Sequence, residues 1–283
     1  MMRIRVGSAK AKITPSLPVS LAGYFHVRTA TSVRDDLYAR AVVLRGSRTL
    51  ALVVLDLAHV HEQVVEPAKR LVRERCGIEP EAVMISATHT HTGPEIAPGE
   101  PMPVCTELAE RLPLVIASCV EEAMRVDTEL ALRPGRTEVH GYSFNRLFRL
   151  RDGSELFGKR PGADIIGGAG DIEPELLTLG MVDEEEQLRV LAVCFALHPD
   201  VIGGGTADFI SADWPGEIAR NVAAVYGEET LSLFLQGTCG DINHVTHSPT
   251  SLATGGPRKA VQLGRALAGA AMLATERAEP RAV

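Results

Sequence analysis

Aromatic side chains make up only 4% of the 283 residues, with a single tryptophan. Any interior must therefore be filled by Leu, Val, Ile and Ala. The five cysteines (Cys76, Cys105, Cys119, Cys194, Cys239) are scattered and odd in number, with no Cys-x-x-Cys pair. That pattern excludes a disulfide framework and a structural zinc knot, and predicts buried, reduced thiols. No apolar run reaches the roughly 20 residues that span a bilayer. The opening Met1–Gly7 has no apolar core of the signal-peptide kind, so the cytoplasm is the expected compartment. Cationic residues are not in excess: the net charge is −7, which argues against a nucleic-acid partner. Internal repeats and low-complexity linkers are not visible, so residues 1–283 are read as one domain.

What is present is an alternation of short apolar runs and helix-length segments. Leu50 to Leu57 is apolar almost throughout and predicts a strand covered on both faces. A helix is expected from about Glu62 to Arg75, closed by Gly77, with Pro67 weakening it unless it lies in the first turn. A second buried strand, Ala82 to Ile85, precedes a helix from Thr106 to Arg125, which Pro113 is expected to kink. Arg133 to Gly170 reads as loops with short strands, and the stretch from Arg151 as a mobile lid. Leu176–Val182 and Leu188–Leu197 flank an acidic tip and predict a hairpin. A helix over Trp214–Tyr226, capped by Asp213, then a strand over Leu231–Leu235 and a helix over Arg258–Thr275 follow, ahead of a frayed tail from Ala278. The fold class implied is α/β, a layered fold with central mixed β-sheet flanked by helices.

Chemistry-bearing residues follow the apolar runs, where open α/β sheets place ligands. Ser86-Ala87-Thr88-His89-Thr90-His91-Thr92-Gly93-Pro94 puts two histidines one residue apart at a strand end. On an extended backbone both rings face one way, toward a shared metal ion or toward separate loop hydrogen bonds. His198, in Leu197-His198-Pro199, ends a second buried run and would supply a further corner. Gln236-Gly237-Thr238-Cys239-Gly240-Asp241-Ile242-Asn243-His244 is glycine-rich; it reads either as a nest of N–H groups for an oxyanion near Gly240 or as a plain turn. Cys239 lies inside it. Asp213 is a helix cap or a group that orients a ligand histidine. Asp56, followed by His59 and His61 after the first strand, is expected to orient a ligand. Arg146 offers a guanidinium for a carbonyl or carboxylate. His26 and His247 have no company that marks them.

Taken together these segments resemble the catalytic domain of the neutral/alkaline non-lysosomal ceramidases. Ile13-Thr14-Pro15, Gly23-Tyr24, Asp36-Leu37-Tyr38-Ala39-Arg40-Ala41, the His89–Pro94 element, Asn145-Arg146, Leu197-His198-Pro199, Ile210-Ser211-Ala212-Asp213 and Gln236–Asp241 occur in the family's order. The resemblance implies a zinc-dependent amidase: His89 and His198 as zinc ligands, His91 as an acid/base or substrate-contacting group, and Arg146 on the scissile carbonyl. One Zn2+ per chain and a small amide substrate are then expected. Asn243 stands where the family carries a serine important for catalysis, which argues against ceramidase activity itself and leaves hydrolysis by metal-activated water. The family's glutamate and tyrosine ligands come from further downstream, so Asp56, Asp241 or His244, or a second subunit of a homo-oligomer, would have to complete the metal site; Asp241 is the preferred ligand. The competing reading is a non-catalytic relative that binds a ligand or partner through a degenerate site.

Overall fold

The computed structural model describes residues 3–98, 102–158, 160, 162–246 and 255–278; His247 and the tail beyond Ala278 lie outside them. Eight strands form the main sheet. They are β1 (Arg3–Lys12), β2 (Tyr38–Arg45), β3 (Thr49–Leu55), β4 (Val83–Ala87), β5 (Thr128–Glu138), β6 (Glu175–Val182), β7 (Leu188–Phe195) and β8 (Leu231–Gln236). Their order is β8-β7-β6-β5-β1-β2-β3-β4. All neighbours are antiparallel except β3 with β4 and β7 with β8. Four helices complete the frame: α1 (Glu62–Cys76), α2 (Thr106–Arg125), α3 (Asp213–Tyr226) and α4 (Pro257–Glu276).

The element order repeats. β1-β2-β3-α1-β4-α2 is followed by β5-β6-β7-α3-β8-α4, and β1 pairs with β5 at the centre. Each half is a three-strand meander, a helical crossover to a parallel edge strand, and a covering helix. This topological duplication was invisible in the sequence because hydrophobic pattern, and not residue identity, carries it.

Period-two alternation gives every strand two apolar faces. Val53 and Leu55 of β3 pack with Val64, Val72 and Ile116 beneath α1 and α2. Val193 and Phe195 of β7 pack with Trp214, Leu263 and Leu267 beneath α3 and α4. The opposite faces meet in a third cluster that includes Val6, Val42, Val54, Val190 and Leu233. The sheet is thus curled so that its halves stack, with helices outside, and β8 comes close to β3 and β4 from the far edge. Curling brings the carboxyl ends of both parallel strand pairs together, which positions the site.

Several local expectations change. α1 runs through Pro67 in its second turn, and its closure by Gly77 at φ 67° is as expected. β5 continues to Glu138, where the composition had suggested loops from Arg133. Beyond it, Leu147–Leu150, Glu155–Phe157 and Ile165–Gly168 pair as a small sheet. α3 has Ala212 at its cap position, and Asp213 is its first residue, at φ 55°. The five cysteines are all free, and among the described residues no helix is long and apolar enough to cross a membrane.

Candidate metal centre

Three imidazoles meet where β4 and β7 end. The Nε2 atoms of His89 and His198 are 3.1 Å apart, and that of His91 lies 3.3 Å from the first and 3.0 Å from the second. His-x-His convergence was expected from strand alternation, but β4 stops at Ala87 and His89 sits in the left-handed region at φ 69°. A turn, not a strand, aims these rings. Its backbone is pinned from three sides. His89 N donates to Leu57 O, His91 N to Pro199 O, and the Thr90 and Thr92 hydroxyls both donate to Ser211 O. Gly23, at φ 93°, admits the His91 ring: a Cβ there would come within 2.5 Å of His91 Cγ. Tyr24 then stands edge-on to that ring at 5.3 Å.

The three rings are not equivalent. His89 Nδ1 lies 2.6 Å from the Ala58 carbonyl, and His198 Nδ1 lies 2.9 Å from the Cys239 carbonyl. A carbonyl only accepts, so each Nδ1 carries the proton and each Nε2 presents a lone pair. Two lone pairs therefore face each other across 3.1 Å, an arrangement a cation relieves. Zinc–nitrogen bonds of about 2.0–2.1 Å set tetrahedral corners roughly 3.3 Å apart, close to the spacing found. The carbonyl partner on Nδ1 is the usual companion of a metal-bound histidine. His91 is different: it is buried and its Nδ1 has no hydrogen-bond partner. An orphaned acceptor costs less than an orphaned N–H, which places the His91 proton on Nε2, pointing inward.

Burial keeps all three rings neutral. It lowers His89, and takes His198 to about 4 and His91 to about 3, in both cases with help from neighbouring cationic or imidazole groups. Asp200 supplies the negative charge. Burial alone would raise it, but His244, His198 and His91 hold it down at about 2. Both Asp200 oxygens accept from Asn243 Nδ2, at 3.1 and 3.0 Å. Sequence reasoning missed Asp200, although a carboxylate two residues beyond a ligand histidine was a usable signal.

His89, His198 and Cys239 form one group whose ligand atoms all lie within 4.8 Å of one another, beside the His91 ring. Asp241 is not in that group: its carboxylate accepts from Asn145 Nδ2 at 2.7 Å, because the turn after Gly240 directs it outward. His244 is engaged with Asp200, 3.5 Å away. Asp56 turns back into the sheet, where it is buried against Arg40 at 2.7 Å and accepts from Tyr38 N. The expected orienting role after β3 falls instead to the Ala58 carbonyl. Asp213 does not touch a ligand ring. Its carboxylate accepts from Ile202 N and Trp214 N, and so ties α3 to the segment after His198. Burial raises it to about 7 against those bonds. The Gly240 carbonyl accepts from Arg146 Nε and Nη2. That contact, with Asp200 at 4.0 Å and the Phe157 ring at 4.7 Å, sets the Arg146 guanidinium beside the centre. Elsewhere, His59 pairs with Glu95, His61 caps α1, and His26 contacts the Gly205 carbonyl.

A curled, helix-flanked mixed sheet is a class of α/β fold that known structures share. No established family model matches the sequence. A neutral ceramidase of Pseudomonas aeruginosa is 25% identical over 256 residues, which cover 84% of this chain and 37% of that protein. The solved neutral ceramidase from Pseudomonas aeruginosa superposes with a TM-score of 0.81 at 22% identity, over 99% of this chain and 46% of the other. A ceramidase solved in complex with C2 gives a TM-score of 0.80 at 23% identity, over 99% and 45%. The chain is similar to these neutral ceramidases and spans less than half the length of the proteins it matches.

Proposed function

We propose that the chain is a metal-dependent hydrolase of a carbon–nitrogen bond in a small N-acyl substrate, with one zinc ion held by His89 and His198. The observation that carries this reading is the pair of opposed Nε2 lone pairs, each fixed by a carbonyl on Nδ1. The ion, when bound, would polarise the amide carbonyl and bring water into reach of ionisation at neutral pH.

The remaining steps belong to the side chains. Arg146, already anchored by the Gly240 carbonyl, holds the scissile carbonyl oxygen as negative charge develops on it. His91, neutral and with its Nε2–H directed inward, donates a hydrogen bond to the reacting group, and the proton that the leaving amine takes up comes from the attacking water. Asp200, clamped by Asn243, keeps a fixed negative charge beside the imidazoles. Asn243 has no nucleophilic atom, so no acyl-enzyme forms on it. Asp213 holds the segment after His198 in place.

A panel of N-acyl amines, N-acyl amino acids and esters, assayed on zinc-reconstituted protein, tests the reading. Release of amine from at least one amide, abolished by His89→Ala, supports it. Failure to hydrolyse any member while still binding acyl ligands would favour a non-catalytic binding protein.

A further inference from the structure

We propose that Cys239 supplies the third protein ligand to the ion, making a two-histidine, one-cysteine centre with one position left open. The inference rests on the proposed His89–His198 site and specifies how it is completed.

The thiol is buried, 7% exposed, and its sulfur converges with the ligand atoms of both histidines within 4.8 Å. It arrives there by topology. β8 is the parallel neighbour of β7, so the turn after β8 lies beside His198. The carbonyl that orients His198 is Cys239's own, so the residue that sets one ligand carries the next. Burial pushes the Cys239 thiol up to about 11, with the Arg146 charge and a Gln236 side-chain hydrogen bond working against that rise, so the sulfur keeps its proton until an ion binds. His91 is the competing third ligand, and its missing Nδ1 partner sets it apart from the two carbonyl-locked rings. Three protein ligands and an open corner are the usual make-up of a catalytic zinc site, whereas four protein ligands would close it. On binding, the sulfur–hydrogen bond breaks, a sulfur–metal bond forms, and the proton leaves to solvent.

Cobalt(II) is the probe, because a cobalt–thiolate bond gives an intense near-ultraviolet charge-transfer absorption that nitrogen ligands do not. The expected result is that absorption at one cobalt per chain in the unmodified protein, its loss in Cys239→Ser and its persistence in His91→Ala. The unmodified protein's own spectrum reads the ligand even should the cysteine variant fail to fold. Cobalt retained through His89 and His198 with no such absorption, or with absorption unchanged in Cys239→Ser, overturns the inference and leaves the proposed function standing. Cobalt bound equally well after His89→Ala and His198→Ala overturns both.

Discussion

His89 and His198, 109 residues apart in the chain, present Nε2 atoms 3.1 Å from each other with both Nδ1 atoms committed to backbone carbonyls. Neither ring can donate to the other in that state. Removing either ring is therefore expected to remove the ion: His89→Ala and His198→Ala should each bring zinc well below one per chain by elemental analysis. Amide hydrolysis should fall about a thousandfold or more, since several kcal/mol of carbonyl polarisation is lost. Zinc content unchanged in either variant would contradict the assignment.

Arg146 acts on charge and not on the metal. Arg146→Ala is expected to lower kcat about 10²–10³-fold with zinc content intact, the loss typical of one oxyanion donor. Steady-state kinetics beside metal analysis separates this from loss of the ion. An effect on KM alone would mean that Arg146 only binds substrate.

Asn243→Ser tests whether a serine at this place would act. Asn243 Nδ2 bridges both Asp200 oxygens, and its Oδ1 accepts from Val245 N. A hydroxyl is too short to keep all three, so the variant should lose about 1–3 kcal/mol of stability by denaturant unfolding and show lower activity. A gain in hydrolysis of long-chain N-acyl amides would show instead that asparagine had silenced a nucleophile.

Acid should destabilise the metal-free protein through its imidazoles. His198 and His91 are neutral when folded, at about 4 and 3. Unfolded histidines protonate near 6.5, so below that pH the unfolded chain binds more protons. Their contribution to stability thus rises with pH between about 3 and 6.5 and is lost on acidification. Asp213, raised to about 7, works the other way, since between 3.8 and about 7 the folded chain binds the extra proton. Thermal unfolding across this range should show a shallower rise with pH for His91→Gln and a steeper one for Asp213→Asn. Shifts of the same sign in both variants would contradict the assignment of these groups.

The layered α/β character and most elements were legible because apolar periodicity reports burial directly. Val53 and Val54 face opposite clusters, as a strand covered on both sides requires. The sequence also pointed to His89, His91 and His198, because chemistry after an apolar run marks a strand end, and to Arg146 through the family resemblance. Three things were not legible. Side-chain direction beyond a turn was one: Asp241 and Asp56 sit next to site segments yet bond Asn145 and Arg40. Long-range convergence was another, since Cys239 joins the histidines only because the sheet curls. The third was the setting of Asp200: its place two residues after His198 was visible, but its closeness to His91 and His244 depends on the fold.

Arg40 and Asp56 permit a separate check that Asp56 lies outside the metal site. They form a buried pair at 2.7 Å, away from the imidazoles. Arg40→Ala strands a buried carboxylate and should cost about 3–5 kcal/mol in chemical denaturation. Zinc content of the folded fraction should not change. Loss of zinc without loss of stability would restore Asp56 to the metal site.

The most direct measurement is anomalous diffraction from a zinc-soaked crystal. One ion is expected between His89 and His198, at about 2.0–2.1 Å from each Nε2. Zinc bound only elsewhere, with the two rings still facing each other across an empty gap, would contradict it.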